Sequence, residues 1–263
     1  MSTQAKLGHN IPMSSDKPAV EINILSDAKA VSRTAADRFL KVARAAIDTK
    51  GEFDVALAGG STPRVTYEIL AKSASTLPWE KVHVFFGDER CVPPDHSDSN
   101  YGMARDALLS KVPIPANNVH RMKGEVDAPA AAEQYEGEMR RHFRLGNGEL
   151  PRFDLVMLGM GDDGHTLSLF PKSEALNETS RLVAANWVEK FHQHRLTFTY
   201  PVVNNAAEIM FLVAGAGKAK VVSEVLGKNP PDDRYPVQKI KPADGRTLWL
   251  LDRTAAQGLQ TTS

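Results

Sequence analysis

Asp163 and His165 lie two residues apart in a polar stretch that directly follows an apolar segment of the chain. Histidine is the side chain best matched to proton transfer near neutral pH. A carboxylate two residues away can orient the imidazole, and Gly164 permits the sharp turn between the two residues. We therefore predict that Asp163 and His165 are catalytic. An ordinary Asp/Gly turn beside an exposed histidine is the alternative.

Metal ligation is a second interpretation of this stretch, because Asp162, Asp163 and His165 all carry donor atoms. No further carboxylate or histidine follows at helical spacing, so we expect no metal there. His192 and His194 form another pair, ahead of a candidate strand, and we interpret them as surface residues.

The stretch Gly59-Gly60-Ser61-Thr62-Pro63 joins an apolar run to a helical pattern. Glycine lets the backbone approach a ligand closely, and the free N–H groups at a helix start attract anions. We predict that Gly60, Ser61 and Thr62 contact a phosphate, with Thr62 as N-cap and Pro63 as the first helical residue. A plain strand–helix turn is the alternative. The Gly-x-Gly-x-x-Gly pattern is absent here, which argues against a dinucleotide site.

Lys218 and Arg90 place positive charge after two further candidate strands. Lys218 ends a glycine-rich stretch, but a P-loop needs glycine at position 212 and Ser or Thr at 219, where this chain has Leu and Ala. A lysine at a helix start opposes the helix dipole, which favours an anionic ligand nearby. A solvated lysine is the alternative. Arg90 follows Asp88 and Glu89 and can hold a phosphate with two hydrogen bonds, or form a local ion pair.

The composition excludes several classes of protein. The chain has 263 residues, with 32 basic and 32 acidic side chains, and this zero net charge argues against a nucleic-acid partner. A single cysteine, Cys91, allows no intrachain disulfide, and we interpret it as a small packed residue. No apolar run reaches about 18 residues, and the first 20 residues lack the apolar stretch of a signal peptide. We therefore expect a cytoplasmic protein without a membrane partner.

Apolar runs alternate with helical patterns along most of the chain. The patterns predict strands at 21–25, 53–60, 81–86, 153–161, 195–200, 208–215 and 247–252. They predict helices at 27–50 (N-cap Ser26), 62–72, 100–112, 130–145 and 218–227. This alternation indicates an α/β protein: a single three-layer α/β/α domain over residues 19–263, with a doubly wound, mostly parallel, Rossmann-like sheet. Residues 1–18 are polar and without period, so we expect a flexible arm.

The elements put the polar residues in one place. In open α/β sheets, ligands bind beyond the carboxyl ends of the strands. The stretches 59–62, 87–90, 161–165 and 215–218 each follow a candidate strand. We therefore expect all four to meet at one rim of the sheet.

Long segments of the chain resemble the 6-phosphogluconolactonase family. They are ALAGGSTPRVTYEIL, VFFGDERCVPPDHSDSNYG, FDLVMLGMGDDGHTLSLFP, HRLTFTYPVVNNA and MFLVAGAGKAKV, which span most of residues 53–251. The resemblance implies hydrolysis of 6-phospho-glucono-δ-lactone to 6-phosphogluconate in the oxidative pentose phosphate pathway. It also implies an open, doubly wound α/β fold, a small sugar-phosphate substrate and no cofactor. We expect the protein to be a monomer.

From the chemistry of lactone hydrolysis we predict a role for each candidate residue. His165 takes a proton from water and returns it to the ring oxygen, while Asp163 orients the imidazole. The substrate phosphate is anchored by Gly60, Ser61, Thr62, Arg90, Arg195 and Lys218, and Asp88 contacts sugar hydroxyls.

Two other functions fit parts of the same pattern. Glucosamine-6-phosphate deaminase shares the fold, but it has a functional Glu five residues after the histidine, where this chain has Phe170. A non-catalytic sugar-phosphate sensor is the other alternative, and the presence of both Asp163 and His165 favours an enzyme. The chain also departs from the family at Lys190–Arg195, where many members have a Pro-rich approach.

Overall fold

Nine strands are present in the residues that the structure describes. This computed structural model describes residues 19–73, 76–227 and 233–259, so the flexible arm expected at 1–18 lies outside the described residues. The strands are β1 (Ala19–Leu25), β2 (Phe53–Leu57), β3 (Val82–Phe86), β4 (Asp88–Arg90), β5 (Leu155–Leu158), β6 (Val183–Val188), β7 (Gln193–Phe198), β8 (Glu208–Val213) and β9 (Arg246–Asp252).

The α-helices of the described residues fall between these strands. They are α1 (Ala28–Lys50), α2 (Ser61–Ser73), α3 (Asn100–Ala107), α4 (Ala128–His142), α5 (Tyr200–Asn204) and α6 (Ala219–Leu226). Within the described ranges, no helix is both long enough and apolar enough to cross a lipid bilayer.

Six strands form one parallel sheet in the order β1-β9-β8-β5-β2-β3. Its central strands β2, β5 and β8 are buried on both faces, as their continuous apolar runs predict. Side chains of β5 alternate between two cores: Leu155 and Met157 pack with α1, α2 and α3, while Val156 and Leu158 pack with α4 and α6. The three-layer α/β/α prediction is therefore confirmed.

The second sheet corrects one expectation. The strand predicted at 195–200 is present as β7, but its placement in the parallel sheet was wrong. It lies in a small antiparallel sheet with the order β4-β7-β6. This sheet packs beside the carboxyl ends of the main strands, where Phe198 N donates to Gly87 O. It carries Asp88, Arg90 and Arg195 on neighbouring strands.

Two helix starts differ from the sequence predictions. Asp27, and not Ser26, is the N-cap of α1, because its carboxylate accepts from Ala30 N at 2.8 Å. Helix α2 begins at Ser61, so Thr62 lies inside its first turn and is not the N-cap. The helix predicted at 100–112 also ends early, at Ala107, and a separate 3₁₀ turn follows at Leu109–Lys111.

Candidate active site

A cleft of about 290 Å³ opens at the carboxyl ends of β2, β5 and β8. All four predicted polar stretches contribute to its lining, as their positions after strands predict. Seven of the predicted site residues line it: Gly60, Ser61, Thr62, Asp88, Arg90, His165 and Lys218. Asp163 and Arg195 do not line the cleft. Asp163 is hydrogen-bonded to the lining residue His165, and Arg195 is the strand partner of the lining residue Arg90.

His165 and Asp163 form a hydrogen-bonded pair. His165 Nδ1 lies 2.5 Å from Asp163 Oδ1, and the same oxygen accepts from the backbone N–H of His165 at 3.1 Å. The carboxylate therefore favours the tautomer with the proton on Nδ1. In that tautomer Nε2 carries a free lone pair, and no described residue hydrogen-bonds to it.

The turn between these residues depends on two glycines. Gly164 has a φ of +75°, and a Cβ there would lie 2.4 Å from the Tyr235 ring. A Cβ on Gly161 would lie 2.1 Å from His165 Nδ1. Glycine at both positions lets the backbone fold tightly around the pair, with Gly161 N donating to His165 O at 2.8 Å.

The charge of Asp163 is stabilised in place. Partial burial raises its pKa, but the hydrogen bonds and charge of His165, together with Lys190, outweigh burial and hold the pKa of Asp163 well below its usual range. Lys190 Nζ lies 3.6 Å from the second carboxylate oxygen. Asp163 is therefore an anion throughout the neutral range and stabilises an imidazolium at His165.

An aromatic wall supports the imidazole. The Phe170 ring stacks on His165 with the centroids 4.1 Å apart and the planes at 24°. Phe191 packs edge-on against Phe170 with the centroids 5.7 Å apart. The segment that departs from the family pattern thus supplies Lys190 and Phe191 to this region. An aromatic ring occupies the position where the deaminase pattern has a carboxylate.

Arg90 and Arg195 face each other across β4 and β7, where they are partners in the antiparallel register. Both Nε atoms are buried and have no hydrogen-bond partner among the described residues. Burial and the like charge of Arg90 lower the pKa of Arg195. Two adjacent guanidinium groups with unused donors are suited to bind a dianion.

A buried polar network holds Asp88 at the edge of the cleft. Asp88 Oδ2 accepts from Ser168 Oγ at 2.8 Å, and Asn100 Nδ2 donates to the Asp88 backbone carbonyl at 2.9 Å. Glu89 faces away and accepts from the backbone N–H groups of Asn100 and Tyr101 at the start of α3. Burial is the main influence on Glu89 and raises its pKa, although those hydrogen bonds oppose it.

Sequence reasoning did not single out Asn100 or Ser168. Asn100 lines the cleft, and its amide side chain fills the space that a Cβ on Gly59 would need. Both residues lie inside the two long family-like segments, so their presence in those segments was the available signal.

The start of α2 and the turn before α6 complete the cleft. Gly60 has a φ of +108°, which exposes the first N–H groups of α2 beside Ser61 and Thr62. Lys218 ends the 3₁₀ turn Ala216–Lys218 directly before α6, and no described carboxylate pairs with it. Both features place unpaired positive or donor groups towards the cleft.

Cys91 matches its interpretation as a packed residue. It lies against the apolar core on the α4 side of the sheet. Burial raises its pKa to about 11, so the thiol is protonated at neutral pH and is a poor nucleophile.

Comparisons with known proteins agree with this geometry. Residues 26–249 match the family described as glucosamine-6-phosphate isomerases/6-phosphogluconolactonase. A 6-phosphogluconolactonase of Nostoc sp. is 44% identical over 239 residues, which cover 90% of this chain and 98% of the relative. The structure of 6-phosphogluconolactonase from Trypanosoma brucei has a TM-score of 0.83 at 32% identity, covering 94% of this chain and 100% of that chain. A monomeric glucosamine-6-phosphate deaminase has a TM-score of 0.75 at 20% identity, with 90% and 99% covered, and shares the fold.

Proposed function

The chain belongs to the glucosamine-6-phosphate isomerase/6-phosphogluconolactonase family, and we propose that it hydrolyses 6-phospho-D-glucono-1,5-lactone to 6-phospho-D-gluconate with His165 as general base. The reaction is a lactone hydrolysis of the oxidative pentose phosphate pathway. The observation that supports this assignment is the Asp163–His165 pair at the edge of a cleft that also holds Arg90 and Lys218. An ester that carries a remote phosphate needs both features.

The base acts first. His165 Nε2 accepts a proton from water as the water oxygen bonds to the lactone carbonyl carbon. The imidazolium that forms is stabilised by Asp163 through the hydrogen bond at Nδ1. The tetrahedral intermediate then breaks its bond to the ring oxygen, and His165 returns the proton to that oxygen. General acid–base help of this kind contributes roughly 10²–10⁴ in rate.

The phosphate supplies the positioning energy. We assign its binding to the guanidinium groups of Arg90 and Arg195 and the ammonium group of Lys218. The N–H groups at Gly60, Ser61 and Thr62 add donors and a favourable helix dipole. Holding the phosphate aligns the distant carbonyl carbon with the water at His165.

Asp88 faces the sugar in this arrangement. Ser168 and Asn100 hold its carboxylate in one orientation at the edge of the cleft. We therefore assign Asp88 to the substrate hydroxyl groups, which can donate hydrogen bonds to its carboxyl oxygens.

A coupled assay tests the reaction directly. Glucose 6-phosphate and its dehydrogenase generate the lactone in place, and excess 6-phosphogluconate dehydrogenase reports the product as a second phase of cofactor reduction. We expect the protein to accelerate that second phase. The kcat of His165→Ala should be lower than that of the wild type by at least about a hundredfold. A second phase no faster than the spontaneous opening of the lactone would contradict the proposal. Ammonia release from glucosamine 6-phosphate would then support the deaminase, and tight binding without turnover would support the sensor.

We also propose that the protein acts as a monomer in the cytoplasm. The residues to which we assign proton transfer and phosphate binding all belong to one chain, so the proposed mechanism calls on no residue of a second copy. The one cysteine fits a reducing compartment, since it forms no intrachain disulfide. Light scattering during size-exclusion chromatography should give the mass of a single chain, with a specific activity that does not change on dilution.

A further inference from the structure

Three histidines from distant segments meet at the amino-terminal edge of the parallel sheet. His83 is the second residue of β3, His120 follows the 3₁₀ turn Ala116–Asn118, and His142 ends α4. One ring nitrogen from each lies within 4.8 Å of those of the other two. His83 Nδ1 and His120 Nε2 are 3.3 Å apart. Two ligands of a tetrahedral zinc ion have this separation, because each Zn–N bond is about 2.0–2.1 Å long.

Carboxylates hold the outward nitrogens of two of these rings. His120 Nδ1 lies 2.7 Å from Glu138 Oε1, and His142 Nε2 lies 2.6 Å from Asp54 Oδ1. Metal-binding histidines commonly donate their second N–H to such a carboxylate, which fixes the tautomer and raises the basicity of the free nitrogen. The carboxylates therefore leave His120 Nε2 and His142 Nδ1 as the nitrogens with free lone pairs.

The geometry points to a zinc site formed by His83, His120 and His142, with Glu138 and Asp54 as the outer carboxylates. Three imidazoles suit Zn²⁺ among the common divalent ions, since Mg²⁺ and Ca²⁺ prefer oxygen ligands. A water molecule completes the tetrahedron, and half-buried His83 leaves a route for the ion to enter.

The site has a structural role, because it lies far from the chemistry. His83 and Asp54 are near the first residues of β3 and β2, whereas the catalytic cleft follows the last residues of the strands. Zinc there joins β3, the segment after Ala116–Asn118 and the last turn of α4. Zinc binding therefore stabilises the fold and leaves the lactonase rate unchanged.

Zinc titration of the chelator-treated full-length protein tests this proposal. We expect calorimetry to give one zinc per chain, and His83→Asn or His142→Asn to abolish that binding. Glu138→Gln should weaken it roughly 10–100-fold. With zinc at a hundredfold excess over its dissociation constant, the melting temperature of the wild type should rise by roughly 5–10 °C.

Two control variants separate this site from other histidines. His165→Asn removes the catalytic imidazole, and His192→Asn removes an exposed one; both should bind zinc as the wild type does. His83→Asn should keep normal lactonase activity, which shows that it folds. Zinc binding that survives in His83→Asn, or that is lost in His165→Asn, would overturn the proposal. Absence of zinc binding in the wild type would leave the histidines with a packing role only.

Discussion

At the scale of single residues, the hydrogen bond between the Asp163 carboxylate and His165 Nδ1 is the contact on which the proposed mechanism depends. We propose that this carboxylate fixes the imidazole tautomer and stabilises the positive charge that the mechanism places on His165. We predict that Asp163→Asn lowers kcat by roughly 10²–10⁴ with little change in KM, because an amide neither selects the tautomer nor balances the charge. The coupled assay and circular dichroism provide the measurement.

The neighbouring Asp162 is the matched control for this variant. Its side chain is exposed, and it makes no contact with His165 among the described hydrogen bonds. Asp162→Asn should keep wild-type kcat. An Asp163→Asn enzyme that turns over as fast as Asp162→Asn would remove the carboxylate from the mechanism.

Lys218 should act on substrate binding rather than on the chemical step. It lines the cleft, and no described carboxylate neutralises it. A charge-assisted hydrogen bond to phosphate is worth about 1.5–3 kcal/mol, so Lys218→Ala should raise KM roughly 10–100-fold. Lys220→Ala, which removes an exposed lysine two residues further on, should leave KM unchanged. Equal KM values for the two variants would assign Lys218 to the solvated surface.

At the scale of elements, the turn after β5 places Asp163 and His165. We predict that Gly164→Ala destabilises the protein by about 1–3 kcal/mol, because its φ of +75° is strained for alanine and its Cβ would meet the Tyr235 ring. Activity should fall as well, since the turn holds His165. Gly148→Ala is the matched control, with a φ of +78° but no atom within 4 Å of the added Cβ.

The free energies of unfolding of both variants, measured with urea, separate the backbone strain at positive φ from the steric clash with Tyr235. Gly148→Ala carries the backbone strain alone and should lose less stability, with full activity. If Gly164→Ala were no less stable than Gly148→Ala, the contact with Tyr235 would have no energetic role.

The main elements were predictable because their signals are local. An apolar run such as 153–161 marks a strand buried on both faces, and the glycines that follow it mark a turn. Strand ends in a parallel sheet lie on one edge by geometry alone, so the meeting of Gly60, Asp88, His165 and Lys218 in one cleft follows from the element order.

The small sheet was not predictable in the same way. Strand β4 has three polar or charged residues, and β6 mixes polar and apolar ones, so neither shows a clear period. The antiparallel partners of β7 are about 100 residues away in β4 and near it in β6, and alternation within 195–200 does not reveal them. The pairing of Arg90 with Arg195 therefore became visible only in the structure.

The N-cap of α1 shows that a helix start could not be predicted to the exact residue. Ser26 and Asp27 are both good capping residues, so the sequence pattern does not choose between them. The extended backbone at Asp27 and its bond to Ala30 N decide the matter. Choices of one residue at helix ends depend on backbone angles that tertiary packing sets.

At the scale of the whole molecule, buried carboxylates should make the fold sensitive to acid. Burial alone would raise the pKa of Asp54, but His142 and Lys50 outweigh it and hold that pKa below its usual range. The pKa of Asp163 is lowered too. Such groups bind protons more readily in the unfolded chain, so their stabilisation is complete above about pH 4 and is lost as the pH falls further.

We therefore predict that the free energy of unfolding declines below about pH 4 and that Asp54→Asn makes this decline shallower. Asp162→Asn is the control and should keep the wild-type slope, since its carboxylate is exposed. The urea transition at each pH should be a single step, as expected of one domain over residues 19–263. Two separate transitions would contradict the single-domain assignment, and an unchanged slope in Asp54→Asn would contradict the role of its carboxylate.

The facing guanidinium groups of Arg90 and Arg195 affect the choice of assay buffer. Two like charges with unused donors attract any small dianion, whether or not it is a sugar phosphate. We therefore expect inorganic phosphate and sulfate to compete with the substrate and to raise the apparent KM. Zwitterionic organic buffers at low ionic strength should give the KM without this competition. The difference between the KM values in the two kinds of buffer then measures how strongly Arg90 and Arg195 attract a dianion.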